Sequence, residues 1–167
     1  MIESTEASTN NPADDARRLA VTCAHIADQL RGENIVVLDM GPLLEITDYF
    51  VLVTGNNRRQ IRAIGEEIIV RLKKHKVQRT NMDGMDSGVW VLTDFDRVVI
   101  HIFNEEAREF YDLDGLWADA ARIDWNAEPA LAEEPALAEE PALTEEPEGP
   151  AVPGAQEEAE GPRAEGE

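Results

Sequence analysis

The sequence predicts an α/β domain, a mixed β-sheet with flanking helices, followed by a disordered acidic tail. Helical stripes alternate with short β-branched runs between residues 12 and 125, which implies a sheet covered by helices. The last two runs, in WVLTDFDRVVIHIF (Trp90–Phe103), lie close enough to pair as a hairpin, so the sheet cannot be wholly parallel. At Asn126 the composition changes to Glu, Pro and Ala.

Residues 1–11 are polar and acidic, with neither an apolar signal core nor an arginine-rich transit pattern, and are expected to be a disordered lead. Leu19, Cys23, Ile26, Ala27 and Leu30 then fall on one helical stripe. Asn11 suits the cap of this helix, Pro12 its first position and Gly32 its end. IVVLDM (Ile35–Met40) reads as a buried strand, Gly41-Pro42 as punctuation, and DYFVLVTG (Asp48–Gly55) as a second strand. Asn56 or Asn57 caps a second helix with Ile61, Ile64, Ile68 and Leu72 inward. Arg58, Arg59, Arg62, Arg71, Lys73, Lys74 and Lys76 occupy its other side. A weak strand near Gln78–Met82, a loop DGMDSG, the hairpin and a short acidic helical end, NEEAREFYDLDGLW, complete a domain spanning residues 12–125.

The tail, residues 126–167, repeats EPALAE every six residues from Glu128. A proline in each repeat interrupts any helix at a cost of about 3 kcal/mol or more. One leucine per repeat buries too little to offset the entropy of ordering. Residues 126–167 carry 13 acids and one base, Arg163, so −12 of the formal charge of −20 lies there and −8 in residues 1–125. An acidic domain favours basic partners over naked nucleic acid or anionic membrane. One cysteine, Cys23, excludes an intrachain disulfide or a thiolate cluster, and no apolar run approaches the ~20 residues of a membrane helix. The chain is expected to be soluble and cytoplasmic.

If Phe95 and Asp96 are the central turn residues, Asp94 opposes Arg97, Thr93 opposes Val98, Leu92 opposes Val99 and Trp90 opposes His101. Val89, Val91, Thr93, Val98, Ile100 and Ile102 then form an aliphatic core face. The other face is Trp90, Leu92, Val99, His101 and Phe103, with two readings: a second buried layer in which His101 is satisfied against Trp90, or a docking surface anchored by the tryptophan. An enzyme reading takes Asp94 and Asp96 as paired carboxylates for a divalent cation, and Gly55 and Asn57 of TGNN as a phosphate cradle, giving a nucleotide-binding or nucleotidyl-transferring site. Aspartate is common in turns for conformational reasons alone, and no phosphate-loop, serine-elbow or cysteine-nucleophile motif accompanies it. His25, His75 and His101 are isolated, with no spacing suited to a metal, so no metal site is expected. The basic stripe suits a solvated face or a phosphate-rich neighbour.

LDM after the first helix, ITDYFVLVTG, RRQIRAI, DG before GVWVLTDF, VVIHIF and NEEAREFYDLDGLW, in that order over Leu19–Asp124, resemble the ribosomal silencing factor family, also called Iojap or RsfS. The chain departs at its turn, DFDR in place of Asp-x-Gly-Asp, and has Asp83-Gly84 where relatives often have Glu-Gly. The resemblance implies a nucleotidyltransferase-like fold without catalytic apparatus, and no cofactor. It implies binding to the large ribosomal subunit through large-subunit ribosomal protein fourteen, which blocks joining of the small subunit and lowers translation. Large-subunit biogenesis and a homodimeric free state are also associated with the family. On this expectation Trp90, Leu92, Asp94, His101, Phe103, Glu105, Glu106 and Tyr111 meet the ribosomal protein, and Arg58, Arg59 and Arg62 lie near ribosomal RNA.

Overall fold

The computed structural model describes residues 11–132; the expectations for residues 1–10 and 133–167 lie outside them. The elements run α1 (Pro12–Gln29), β1 (Glu33–Asp39), β2 (Tyr49–Thr54), α2 (Arg58–Lys74), β3 (Asn81–Asp83), β4 (Trp90–Asp94), β5 (Val98–Phe103), α3 (Glu105–Tyr111), α4 (Leu113–Leu116), β6 (Ala121–Ile123) and a 3₁₀ turn (Trp125–Ala127). The six strands form one sheet in the order β3-β4-β5-β2-β1-β6. Only β2 and β5 pair in parallel, so the sheet is mixed, as the hairpin requires.

Each longer helix begins on an asparagine whose side-chain oxygen accepts an otherwise orphaned backbone N–H: Asn11 from Ala13, Asn57 from Gln60, Asn104 from Ala107. Small residues along α1, among them Ala20, Ala24 and Ala27, are fully buried and let the helix lie close on the sheet. Its left-handed terminator is Arg31 (φ 64°) rather than Gly32. Gly32 is required for space, since a Cβ there would come within 2.7 Å of Val53 Cγ1 and 3.0 Å of the Ala27 carbonyl oxygen.

The aliphatic side of the sheet packs under α1 and α2, joining Val37, Val51, Val53, Val91, Val98, Ile100 and Ile102 to Ile61, Ile64, Ile68 and Leu72. A smaller cluster, Leu38, Met40, Leu52, Phe103, Ala107 and Ala120, fills the other side.

The hairpin register differs from the sequence expectation. Trp90 pairs with Phe103, Leu92 with His101, Thr93 with Ile100 and Asp94 with Val99, which moves the turn centre to Asp96 and Arg97. Phe95 explains the shift. It is 4% exposed within the aliphatic core, whereas a turn centred on it would leave its ring in water. The slip preserves the division of the faces, because both strands keep their alternation. Val89 alone departs: it precedes the ladder and is 44% exposed. Asp96 takes the left-handed backbone (φ 71°) that aspartate tolerates, and its N–H donates to Asp94 Oδ1 at 2.8 Å. Arg97 pairs with Asp48 and not with Asp94.

The packed chain runs past Trp125. Trp125 Nε1 donates to the Ile35 carbonyl at 3.2 Å, and the chain remains one compact unit to Ala132.

Candidate functional site

The alternation of β4 and β5 places Trp90, Leu92, Asp94, Val99, His101 and Phe103 on the side of the sheet opposite α1 and α2. This side is layered. Phe103 is fully buried and His101 is 5% exposed, so both support the face rather than form its surface, correcting their expected role as partner contacts. Trp90 and Leu92 are partly buried and reach the surface. Tyr111, 48% exposed, lies over Trp90 with ring centroids 4.5 Å apart, and Trp90 stacks on Phe103 at 5.1 Å.

Trp90 Nε1 donates to His101 Nδ1 at 3.2 Å, so the buried-layer reading of that pair is right in its chemistry. The indole N–H is spent internally, and what Trp90 presents outward is apolar ring. Because Nδ1 accepts, the neutral imidazole carries its proton on Nε2, which is buried with no hydrogen-bond partner among the described residues. Burial, reinforced by the Arg108 cation, pushes the His101 pKa down to about 4. The ring is therefore a neutral spacer. Phe50, on the neighbouring strand β2, meets it in a T-shaped contact with ring centroids 4.8 Å apart.

Arg108 fixes the helices beside this face. Its Nε donates to Asp114 Oδ2 at 2.7 Å and a terminal nitrogen to Oδ1 at 3.0 Å, while the other terminal nitrogen reaches Thr54 Oγ1 at 3.2 Å. That fork ties α3 to α4 and to the sheet and holds the Asp114 carboxyl below its usual range.

Glu105 and Glu106 are exposed in the first turn of α3, at the Trp90 end of the hairpin. Asp94 lies four strand residues from Trp90, about 13 Å away at ~3.3 Å per residue. It stands apart from the other two acids. Sequence reading missed Phe110, 79% exposed with its ring centroid 5.0 Å from that of Tyr111, and Leu116, 67% exposed. Of the seven residues of α3 only Ala107 is buried, so both aromatics of EFY stay outside, which depends on packing that the sequence does not show.

The composite nucleotide site does not assemble. Gly55 and Asn57 follow the C-terminal end of β2, where Thr54 pairs with Phe103. Asp94 pairs with Val99, which pairs with Phe50 at the other end of β2. Five strand residues, about 16 Å, separate the two levels. Asn57 caps α2 and Asp94 closes its own turn, so each has a conformational job. Among the described residues no three His, Cys, Asp or Glu side chains converge as metal ligands.

Arg58, Arg59 and Arg62 are exposed on α2 and border a shallow groove with Ala63 and Glu66. Arg58 is partly committed, since its guanidinium donates to the Asp86 carbonyl and its stem packs where a Cβ on Gly88 would sit. It thereby braces the loop that leads into Trp90. Arg71 pairs with Glu67 at 2.7 Å, which removes one member of the expected basic stripe.

The fold and this face describe a small α/β domain with a mixed six-stranded sheet, two helices on its aliphatic side and a partly exposed aromatic ridge on the other. A family model described as "Ribosomal silencing factor during starvation" matches residues 13–149, and the chain belongs to that family. It is 38% identical over 101 residues to ribosomal silencing factor RsfS of Bacillus subtilis, covering 60% of this chain and 86% of that one. It is 35% identical over 113 residues to the chloroplastic protein Iojap of Arabidopsis thaliana, covering 66% and 47%. It is 36% identical over 95 residues to mouse mitochondrial assembly of ribosomal large subunit protein 1, covering 53% and 41%. The chain thus spans less than half of these two organellar relatives. A crystal structure of a Chromobacterium violaceum protein superposes with a TM-score of 0.58 at 27% identity, covering 72% of this chain and 92% of that one. The Bacillus subtilis and mouse relatives are named for ribosomal silencing and for large-subunit assembly, and none of the three names denotes an enzyme. No helix among the described residues is long and apolar enough to cross a membrane.

Proposed function

We propose that this chain is a non-enzymatic, cytoplasmic silencing factor that binds the large ribosomal subunit and prevents the small subunit from joining. The partner is large-subunit ribosomal protein fourteen, and repression of translation follows from bulk alone. The observation that carries this reading is Trp90, whose ring contacts both buried Phe103 and exposed Tyr111 and whose polar atom is already satisfied. Such a rigid apolar anchor suits a central contact worth about 2 kcal/mol or more. Leu92 and Tyr111 extend the anchor, with Phe110 beside them. Glu105, Glu106 and Asp94 orient the domain towards a basic partner and mainly raise the association rate. An interface of about 1,600 Å² suffices. Names of relatives that refer to silencing or to large-subunit assembly support the same assignment, and a role in large-subunit biogenesis is included in it.

Arg59 and Arg62 provide a secondary contact to ribosomal RNA, with Arg58 next to them. The free chain is read as a homodimer, which analytical ultracentrifugation at micromolar concentration tests; a monomer mass throughout would remove that part.

The main test is subunit reassociation. Chain added in excess to separated subunits should reduce the joined-ribosome peak in a sucrose gradient and co-migrate with the large subunit. Full reassociation in the presence of bound chain would contradict steric blocking.

A further inference from the structure

Residues 84–89, between β3 and β4, lead straight into Trp90, and their path is held from α2 as well as from within. Gly84 (φ 83°) and Gly88 (φ 62°) carry them through left-handed backbone. Glycine enters that region as readily as its mirror image, so this loop has many paths open until something holds it. Within the loop, the Gly88 N–H donates to the Gly84 carbonyl at 3.0 Å, and Ser87 Oγ donates to the same oxygen at 3.2 Å. The other ties come from α2. Met85 packs against the main core cluster beside Gly65, where a Cβ would come within 3.4 Å of its sulfur. The Arg58 guanidinium donates to the Asp86 carbonyl, and its stem fills the space into which a Cβ on Gly88 would project.

This loop delivers the ridge. Gly84 lies so close to the Trp90 carbonyl that no side chain fits there. The Val89 carbonyl, one residue before Trp90, accepts the Asn104 N–H at 2.9 Å. Asn104 caps α3, the helix of Glu105, Glu106, Phe110 and Tyr111. Trp90 and the helix whose Tyr111 lies on it are therefore both placed by the same short segment. Arg59 and Arg62 border the α2 groove with Arg58, yet neither side chain has a hydrogen bond or ion pair among the described residues. Arg58 alone of the three is tied to the loop.

We propose that Arg58 is a positioning residue for the Trp90 ridge, acting through residues 84–89 and not as a ligand of ribosomal RNA. The guanidinium suits the task because it donates to a carbonyl while its aliphatic stem covers the glycine. Without that tie the loop samples other paths, and the ridge must be ordered at the moment of binding, which lowers affinity. The effect on affinity rests on the ribosomal reading; the effect on the ridge does not.

The test begins with NMR on the isotope-labelled free chain, reading the Trp90 indole N–H and the Val89 and Asn104 amides. The Trp125 indole, which donates to the Ile35 carbonyl in β1, reports on the fold. Arg58→Ala should shift and broaden the Trp90, Val89 and Asn104 signals and leave that of Trp125 in place. Arg59→Ala, in the same groove, should move none of them. In co-sedimentation with isolated large subunits, Arg58→Ala should bind about fivefold more weakly, the scale of one hydrogen bond. Its salt slope should equal the parent's, whereas a lost phosphate contact lowers the slope by about 1. Unmoved Trp90, Val89 and Asn104 signals in Arg58→Ala would overturn the proposal whether or not the chain binds ribosomes. A salt slope lowered by about 1 would overturn it too, by making Arg58 an RNA ligand. A parent chain that fails to pellet with large subunits would remove the ribosomal reading alone, and the spectra would still decide the role of Arg58.

Discussion

His101 shows how a single residue can look catalytic in sequence and be structural in space. An imidazole near two aspartates invites chemistry, yet its Nδ1 accepts from Trp90 and its Nε2 is sealed. With a folded pKa of about 4 against about 6.5 unfolded, the unfolded chain takes up the proton first. Stability is then constant above pH 6.5 and falls as pH drops from 6.5 towards 4, by up to about 3 kcal/mol from this group. His101→Gln removes that titration. Urea unfolding at pH 7 and pH 4.5 should show a clearly smaller loss in the variant than in the parent; equal losses would mean that His101 ionises freely in the fold.

Arg108 makes a complementary prediction. Arg108→Met removes the fork to Asp114 and the cation that helps to depress His101. It should cost about 1–3 kcal/mol and raise the His101 pKa, which NMR titration of the ring reads directly. An unchanged ring titration would assign the depression to burial alone.

Among the elements, periodicity made most of the fold legible. The stripe from Leu19 to Leu30, the runs IVVLDM and DYFVLVTG, and the helix of Ile61, Ile64, Ile68 and Leu72 all occupy the places the pattern assigns. What escaped was decided by contacts distant in sequence. β6 has three residues and exists because Val37, Leu38 and Asp39 offer it an edge. The hairpin register turned on whether Phe95 could be spared from the core, which no local propensity reveals. This gives a sharp mutational test: Phe95→Ala should cost about 3–5 kcal/mol, as for a buried ring. The sequence-predicted turn would put Phe95 at an exposed tip and expects almost no change. Denaturant midpoints with unchanged slopes distinguish the two.

The candidate site was legible in part for the same reason. Alternation identified Trp90 and Leu92 correctly as one face, but alternation cannot say how thick a covering layer is. Burial of Phe103 and His101 depends on Phe50 of β2, Ala107 of α3 and Trp117 just after α4, all distant from the hairpin's own alternation.

At the scale of the whole molecule, the sheet separates two surfaces of different character. One bears the aromatic ridge of Trp90, Phe110 and Tyr111 flanked by acids, and the other carries the helices with the Arg59–Arg62 groove. Arg59→Ala with Arg62→Ala should weaken large-subunit binding more at low salt than at high salt and lower the salt slope by about 2. An unchanged slope would take RNA contact away from α2. The ridge carries the central claim, and one measurement bears on it most directly: co-sedimentation of Trp90→Ala with isolated large subunits, alongside its circular dichroism spectrum. The account predicts a native spectrum with binding at least about tenfold weaker, roughly 1.4 kcal/mol. A natively folded Trp90→Ala that pellets with large subunits as well as the parent chain would contradict it.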